Sequence, residues 1–480
     1  MQVLFSSSTE SPTTPGLGII PAPLTRLDDA EKAVPHIGWN SAHRLDPHPD
    51  QSGIGTSEFY YFVHSYCAKY APHQYPEAAA WAHSTTQYGQ EIFIATVQKQ
   101  NVFGTQFHPE KSGKAGLALL DTWLKQNNAP RLASTPTPSP RVTLLPDPNR
   151  GLTKRIIACM DVRANDDGDL VVTKGDQYDV REKVPNGALH AIAHSAGAIR
   201  NLGKPVALAA RYYEEGADEI CLLNITSFRH SPLRDQPMLA VVRAAAERVF
   251  VPLTIGGGIK DTIDPDGVKR PALEVAGAYF RAGADKVSIG SEAVYAVEKM
   301  RERGGTGDGT SAIETIAYAY GSQAVVVSID PRRVYVDPET YDGPYRDELV
   351  FGQQDAPENE RGRAWWYQCT VSGGRESRPL SVVQLAQGVA KLGAGEILLN
   401  SIDRDGTGLG FDLDLIRLVK KSVKIPVVAS SGAGSRGHFV EVFKETGTEA
   451  ALAAGIFHRN EVALSEVKEA LDSAGIPVRR

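Results

Sequence analysis

Cysteine is scarce in this 480-residue chain, and an excess of positive charge and long apolar runs are lacking; each shortfall removes a class of function. The four cysteines, Cys67, Cys159, Cys221 and Cys369, have neither the spacing of metal ligands nor that of a disulfide framework. That usage points to a reducing compartment, with the cytoplasm as the expected location; a plastid stays open only because the start of the sequence looks incomplete. No metal and no cofactor is called for. Basic residues number 51 against 57 acidic ones, a formal charge of −6, which argues against a nucleic-acid surface as the main business. No apolar run reaches the roughly 18 residues of a membrane span. No signal peptide stands out at the start.

Proline, by contrast, is concentrated. Between Asn127 and Gly151 it recurs at positions 130, 136, 138, 140, 146 and 148, with few residues able to build a core. Read as a semi-extended linker, residues 127–152 divide the chain into residues 1–126 and residues 153–480. Within the second part, a charged stretch rich in Gly, Pro, Asp and Glu, from about Tyr335 to Arg363, reads as an irregular surface insertion.

The second part holds eight short β-branched runs: RIIACMDV, EICLLNIT, VPLTIGGGI, DKVSIGS, AVVVSIDP, EILLNSID, IPVVASSGAG and EAALAAGIF. Amphipathic segments lie between them, among them Pro205–Glu215, Pro237–Phe250, Ile313–Tyr320, Leu380–Leu392 and Leu413–Val423. Strands apolar on both faces that alternate with helices predict a parallel sheet covered by helices. Eight such units fit a (β/α)8 TIM barrel better than an open sheet. A repeat sharpens the prediction. GADEICLLNIT returns as GAGEILLNSID, VPLTIGGGI as IPVVASSGAG, and GADKVSIGS as GTEAALAAGIF, at offsets between 164 and 177 residues. Units one to four recur as five to eight, so the barrel reads as two half-barrels.

Residues at the C-terminal ends of barrel strands face the active site. Asp161 ends the first run and Asp330 the fifth, on opposite sides of the mouth. Two carboxylates held apart can serve as general acid and general base on one substrate. Either alone could simply cap the turn after its strand; a symmetry-related pair argues for chemistry. Gly257 and Gly258 follow the third run, Gly290 and Ser291 the fourth, Gly432 and Gly434 the seventh, and Gly455 the eighth. Glycine turns that open helices present N–H groups to an anion, usually phosphate. Two such sites, one in each half-barrel, predict an elongated bisphosphate reacting between the aspartates. At the opposite end, Arg155, Glu219, Lys286 and Glu396 sit at or just before the starts of runs one, two, four and six. Such charges could be an ordinary solvated rim or a closed ring across the barrel floor. Buried ion pairs seldom improve stability, so a ring there needs a reason, and a gate would be one.

Taken together, KRIIACMDV, GGGI, ADKVSI, QAVVVSID, GEILLNSIDRDGTG and QFHPEKSG closely resemble the imidazole glycerol phosphate synthase family of histidine biosynthesis. The likeness is to the fused form, in which a class I glutamine amidotransferase domain precedes the cyclase barrel. It implies a bisphosphate substrate, phosphoribulosyl-formimino aminoimidazole carboxamide ribonucleotide. Ammonia attacks it, and lyase cleavage with ring closure gives imidazole glycerol phosphate and aminoimidazole carboxamide ribonucleotide. By the resemblance, Asp161 and Asp330 are the acid/base pair, and Lys174 (in VVTKG), Asp405 and Gly406 lie near substrate. Arg155, Glu219, Lys286 and Glu396 match the ammonia gate. Residues 1–126 match the back part of the glutaminase, with His108 and Glu110 as the second and third members of its triad. Lys111 is expected to reach Asp285 at the domain interface, with Trp39 nearby. The expected partners are the bisphosphate and ammonia or glutamine, and the fused chain is expected to be a monomer.

The triad's thiol belongs on a Gly-x-Cys-x-Gly elbow, and the chain contains no such motif. Its first residues, Met1-Gln2-Val3-Leu4-Phe5, look like the tail of that pattern, opening an apolar helix. A glutaminase lacking its first half should leave that helix and the faces of EIFIATV without partners. The expectation is therefore a barrel that works with ammonia, attached to a partial glutaminase from an incomplete gene model that lacks the nucleophile segment. Two alternatives share much of the pattern. One is the sister isomerase of the pathway, with paired aspartates and two phosphate sites; the other is a barrel regulated by a noncatalytic remnant.

Overall fold

The strand Glu91–Lys99 has five consecutive buried residues, from Phe93 to Val97, because its two sides face two different apolar clusters. Ile94 and Val97 pack with Phe5, Ile20, Leu24 and Trp81, whereas Phe93 and Ala95 pack with Tyr60, Phe62, Cys67 and Phe107. The EIFIATV segment thus keeps partners on both faces, contrary to the expectation from sequence. The structure is a computed structural model. It describes residues 1–45, 53–55, 57–100, 102–127, 143–147, 150–164, 170–174, 178–179, 203–224, 237–263, 267–352 and 360–480. They form two compact units, Met1–Arg155 with Ile476–Arg480, and Ile156–Gly475.

In the first unit, Phe5–Ser8, Ile20–Arg26 and Tyr66–Cys67 make one small sheet, and His36–Ser41 pairs antiparallel with Phe59–His64. A four-stranded antiparallel sheet runs in the order His43–Arg44, Ala82–Tyr88, Glu91–Lys99, Val102–Thr105. The apolar helix expected from Val3-Leu4-Phe5 does not form. Gln2–Leu4 is a single 3-10 turn, and Phe5 starts a strand because it has a ladder partner in Ile20 and is fully buried there. The helix Gly113–Asn127 follows the QFHPEKS motif. The described end of the proline-rich stretch is pinned to this unit and is no free tether. Asp147 N–H donates to Gln87 Oε1 at 2.8 Å, and Gln87 Nε2 donates back to the Asp147 carbonyl at 3.1 Å.

The second unit is a closed parallel barrel of eight strands: β1 (Arg155–Ala164), β2 (Glu219–Asn224), β3 (Leu253–Gly256), β4 (Lys286–Ile289), β5 (Val325–Ile329), β6 (Glu396–Leu399), β7 (Val427–Ala429) and β8 (Ala450–Ala453), with β8 pairing back to β1. Every residue of β2 through Leu222, and all of β3, β4, β6, β7 and β8, is buried, as strands covered on both faces require. Gly393 shows how the alternation is punctuated: it closes the helix Val382–Leu392 in the left-handed region, φ 109°, three residues before β6. Ile157, Cys159, Cys221, Val326, Leu398, Val428, Ala450 and Leu452, drawn from six of the strands, pack as one buried cluster.

Two additions sit on the barrel. A hairpin strand, Leu170–Lys174, pairs antiparallel with the end of β1, so β1 runs three residues past Asp161 instead of stopping there. After β5, the stretch expected to be irregular belongs partly to an antiparallel sheet of Pro331–Val336, Val350–Phe351, Ala364–Val371 and Glu376–Ser381. Proline and charge disguise its short outer strand, but Ala364–Val371, paired with all three other strands, buries seven of its eight residues. Among the described residues, no helix is long and apolar enough to cross a membrane.

Candidate active site at the barrel mouth

Asp330 is the residue directly after β5, and its carboxylate is held from the next strand over. Asn400, following β6, donates from Nδ2 to Asp330 Oδ1 at 2.6 Å and to Ser328 Oγ at 3.1 Å. Thr370 Oγ1 donates to the Asp330 carbonyl at 2.6 Å, fixing the backbone beneath. Burial pushes the Asp330 carboxyl up from its ordinary range and nearby Asp405 adds to this, while the bonds from Asn400 and Ser328 pull it down; the net direction is up. Asp161 is partly exposed on β1, in register with Leu223 of β2 on one side and Thr173 of the hairpin on the other. Lys174, next to Thr173, pairs in register with Tyr178.

The glycine turns surround these carboxylates on the C-terminal ends of the strands. Gly257 and Gly258 follow β3 with φ of 91° and 75°, which side-chain-bearing residues rarely adopt. Gly290 caps the helix Ser291–Glu302, and Ser291 Oγ accepts from the Ser372 N–H at 3.0 Å. Asp405, whose N–H donates to the Ser401 carbonyl at 2.9 Å, and Gly406 lie on the segment after β6. Gly432 and Gly434 follow β7, and Gly455 opens the short helix Gly455–His458 after β8.

At the other end of the barrel, Arg155, Glu219, Lys286 and Glu396 are each the first residue of their strand, and all four are buried. Lys286 Nζ lies 2.7 Å from Glu219 Oε1 and 2.6 Å from Glu396 Oε2, and Thr254 Oγ1 donates to Glu219 Oε1 at 2.6 Å. A lysine between two carboxylates, with side chains 1–2 % exposed, is a buried ion-pair cluster and not a solvated rim. Asp285, just before Lys286, accepts from the Leu253 N–H at 2.8 Å.

In the first unit, His108 Nδ1 donates to Glu110 Oε1 at 2.9 Å, and both side chains are about half exposed. Burial alone would raise the Glu110 carboxyl, but the bond from His108 and the charge of Lys111 hold it below its usual value. Lys111 ends the 3-10 turn Pro109–Lys111. Trp39 is fully buried, with the Arg479 guanidinium 4.1 Å above its ring.

Residues 155–463 match the family described as histidine biosynthesis protein, and residues 1–126 match glutamine amidotransferase class-I. The imidazole glycerol phosphate synthase hisHF of Emericella nidulans is 55% identical across the whole chain, which covers 84% of that relative. The chloroplastic relative of the same name from Arabidopsis thaliana is 50% identical, with 76% of its length covered. The imidazole glycerol phosphate synthase subunit HisF of Haloarcula marismortui is 39% identical over 68% of the chain and 99% of its own length. The chain belongs to the imidazole glycerol phosphate synthase family. Its members are enzymes of histidine biosynthesis, and the fused relatives join the two regions matched here.

Several of the residues that support the barrel mouth in one unit and the His108 relay in the other carry no motif. Asn400 is one, legible only as a strand-end polar residue. Ser112 is another: its Oγ accepts from the Tyr61 N–H at 2.9 Å and donates to the His108 carbonyl at 2.6 Å, while the His108 N–H donates to the Tyr61 carbonyl at 2.9 Å. Three bonds thus lock the histidine's backbone to the strand Phe59–His64. Behind them, His64 donates from Nδ1 to the Tyr66 carbonyl at 3.0 Å, which leaves its Nε2 to accept from His36 Nδ1 at 3.1 Å. All four cysteines are buried. Burial pushes the Cys67 thiol up to about 12, and Cys159 is raised by its bond with Cys221 and by burial.

Proposed function

We propose that this chain carries out the cyclase and lyase chemistry of its family, joining ammonia to phosphoribulosyl-formimino aminoimidazole carboxamide ribonucleotide to give imidazole glycerol phosphate and aminoimidazole carboxamide ribonucleotide. The observation that carries the reading is the pair Asp161 and Asp330, on β1 and directly after β5, at the mouth of a barrel of this family. One acts as general acid and the other as general base, transferring protons as the C–N bonds of the substrate form and break. The raised carboxyl of Asp330 suits the acid, because it keeps its proton to higher pH; the partly exposed Asp161 suits the base.

The substrate's two phosphates lie in the glycine turns, one against Gly257, Gly258, Gly290 and Ser291 and the other against Gly432, Gly434 and Gly455, with Lys174, Asp405 and Gly406 along its length. Backbone N–H groups supply the donors, so the cradle needs few positive side chains. Ammonia enters across the floor where Lys286, Glu219 and Glu396 meet, and Arg155, at the start of β1, belongs to the same gate; it then passes through an interior lined by aliphatic side chains and two thiols. A neutral small amine can cross such a lining, whereas an ammonium ion would lose its hydration without replacement. The functional division follows residues 1–126, 127–152 and 153–480.

The glutaminase half supplies a His108–Glu110 relay, but the chain's thiols are buried, and none lies on a Gly-x-Cys-x-Gly elbow. The polypeptide of this sequence therefore uses added ammonium and not glutamine. The test is release of aminoimidazole carboxamide ribonucleotide by purified chain, supplied with the bisphosphate and either ammonium salt or glutamine. Turnover with ammonium alone is expected; no turnover with ammonium would overturn the cyclase reading, and turnover with glutamine would overturn the statement about the thiol.

A further inference from the structure

One of the two phosphate cradles rests on a segment with little regular structure of its own. Residues 400–412, between β6 and the helix Leu413–Ser422, carry Asp405 and Gly406 and lie backbone to backbone against the turn after β7. The Gly410 N–H donates to the Gly432 carbonyl at 2.8 Å. A Cβ on Gly432 would stand 2.2 Å from the Gly410 oxygen, and one on Gly434 2.3 Å from the Gly408 oxygen. There is no slack between the two loops, so whatever holds the first also places the second.

The holding group comes from the antiparallel sheet inserted after β5. Arg333, on Pro331–Val336, is buried with its guanidinium 4.4 Å above the Trp365 ring. Its Nη2 reaches Asp412 Oδ2 at 3.0 Å, its Nη1 reaches Glu360 Oε1 at 2.7 Å, and its own N–H donates to Asp403 Oδ2 at 2.8 Å. Asp412 in turn accepts from Ser401 Oγ at 3.1 Å, from the Tyr367 hydroxyl at 2.8 Å and from the Leu415 N–H at 3.3 Å. Both ends of the segment, Ser401 and Asp412, are therefore tied to one guanidinium. The sheet carrying it is anchored on the far side by Arg378, which donates from Nε and Nη2 to Glu298 Oε1 and Oε2 at 2.9 and 2.8 Å.

We propose that Arg333 is a positioning residue for the bisphosphate, holding residues 401–412 and through them the Gly432–Gly434 turn in the geometry that receives one phosphate. The proposal rests on the reading of the mouth as a bisphosphate site. Arg333 does not touch substrate; it sets the distance between Asp405 and the turn. A planar guanidinium is needed because two carboxylates approach from different directions while its face lies on Trp365. Lysine lacks the forked, planar head that spans Asp412 and Glu360 while stacking on Trp365. Methionine leaves Asp412 with its neutral donors, Ser401, Tyr367 and the Leu415 N–H, so the helix cap survives while the tie to the sheet is lost.

Ammonia-dependent turnover and thermal unfolding, measured on the full chain for wild type, Arg333→Met, Arg333→Lys and Glu360→Gln, test this. The expected result is a KM for the bisphosphate raised about tenfold in Arg333→Met and roughly threefold in Glu360→Gln, with kcat changed by less than about threefold. Arg333→Lys should fall between them. A role in stability alone would lower the unfolding temperature and the amount of active enzyme without moving KM. Unaltered KM in Glu360→Gln and in Arg333→Lys overturns the proposal even if Arg333→Met fails to fold. A wild-type chain that does not turn over with ammonium overturns the cyclase reading itself; an active wild type with unmoved variants overturns only the role of Arg333.

Discussion

Asp330 is governed by opposing contributions small enough to be shifted one at a time. Burial and Asp405 raise its carboxyl, and the Asn400 bond lowers it. Removing that bond with Asn400→Ala favours the protonated form further. The limb of the kcat/KM profile that Asp330 controls should therefore move to higher pH, measured with ammonium held well above its KM. Asp330→Asn, which keeps the shape and removes the titrating group, should lower kcat by about 10²–10⁴-fold, the usual span for a lost acid or base. At the floor, Lys286→Met removes the buried ammonium that Glu219 and Glu396 share. Breaking a buried pair in this way costs about 3–5 kcal/mol, which a shift in the urea unfolding midpoint would show.

Among the elements, the loops after β6 and β7 behave as a single part because glycine lets their backbones meet. Gly432→Ala must both adopt a φ of 91° and place a methyl 2.2 Å from the Gly410 oxygen. The two loops should separate, with KM for the bisphosphate rising at least about tenfold in ammonia-dependent assays. Gly447→Ala makes a useful contrast. It also has positive φ, 68°, but nothing stands within 4 Å of the added methyl, so a modest loss of stability with an unchanged KM is expected. The element hardest to read from sequence was the inserted sheet. Its Pro, Gly and charged residues mark turns, and they mask strands such as Val350–Phe351 that are too short to show a period.

Across the molecule, buried histidines make the fold acid-sensitive. His64 is held near 4, first by burial and then by the charge of His108, against an ordinary 6.5. His458, also held near 4, is lowered by burial and by Arg211 and Arg459. Both values are depressed in the folded state, so the unfolded chain binds the extra protons. The stability they support is complete above pH 6.5 and is lost as pH falls toward 4. His64 alone accounts for about 3 kcal/mol of that loss. Thermal unfolding followed from pH 7 downward should show the decline beginning well above the carboxylate range, and His64→Gln should flatten it. That the two histidines lie in different units predicts that each unit loses stability over the same interval.

The number and order of the barrel strands, the repeat, the glycine turns, the paired aspartates and the four charges at the strand starts were all legible in the sequence. They are encoded locally: burial on both faces makes a continuous apolar run, and a turn with positive φ calls for glycine. Pairing is not local. Lys286 takes both Glu219 and Glu396, which stand 67 and 110 positions away, and Arg333 meets Asp412 across 79. Nothing in the intervening residues records such a meeting. The same holds for Asn400 on Asp330, for Ser112 beneath His108, and for Phe5, whose neighbours suggested a helix until Ile20 supplied a strand. Composition and period determined which elements exist and which side chains could do chemistry. Closure of the barrel and docking of the inserted sheet decided which of those side chains touch, because a hydrogen bond or an ion pair depends on ångström distances that only the packed chain defines.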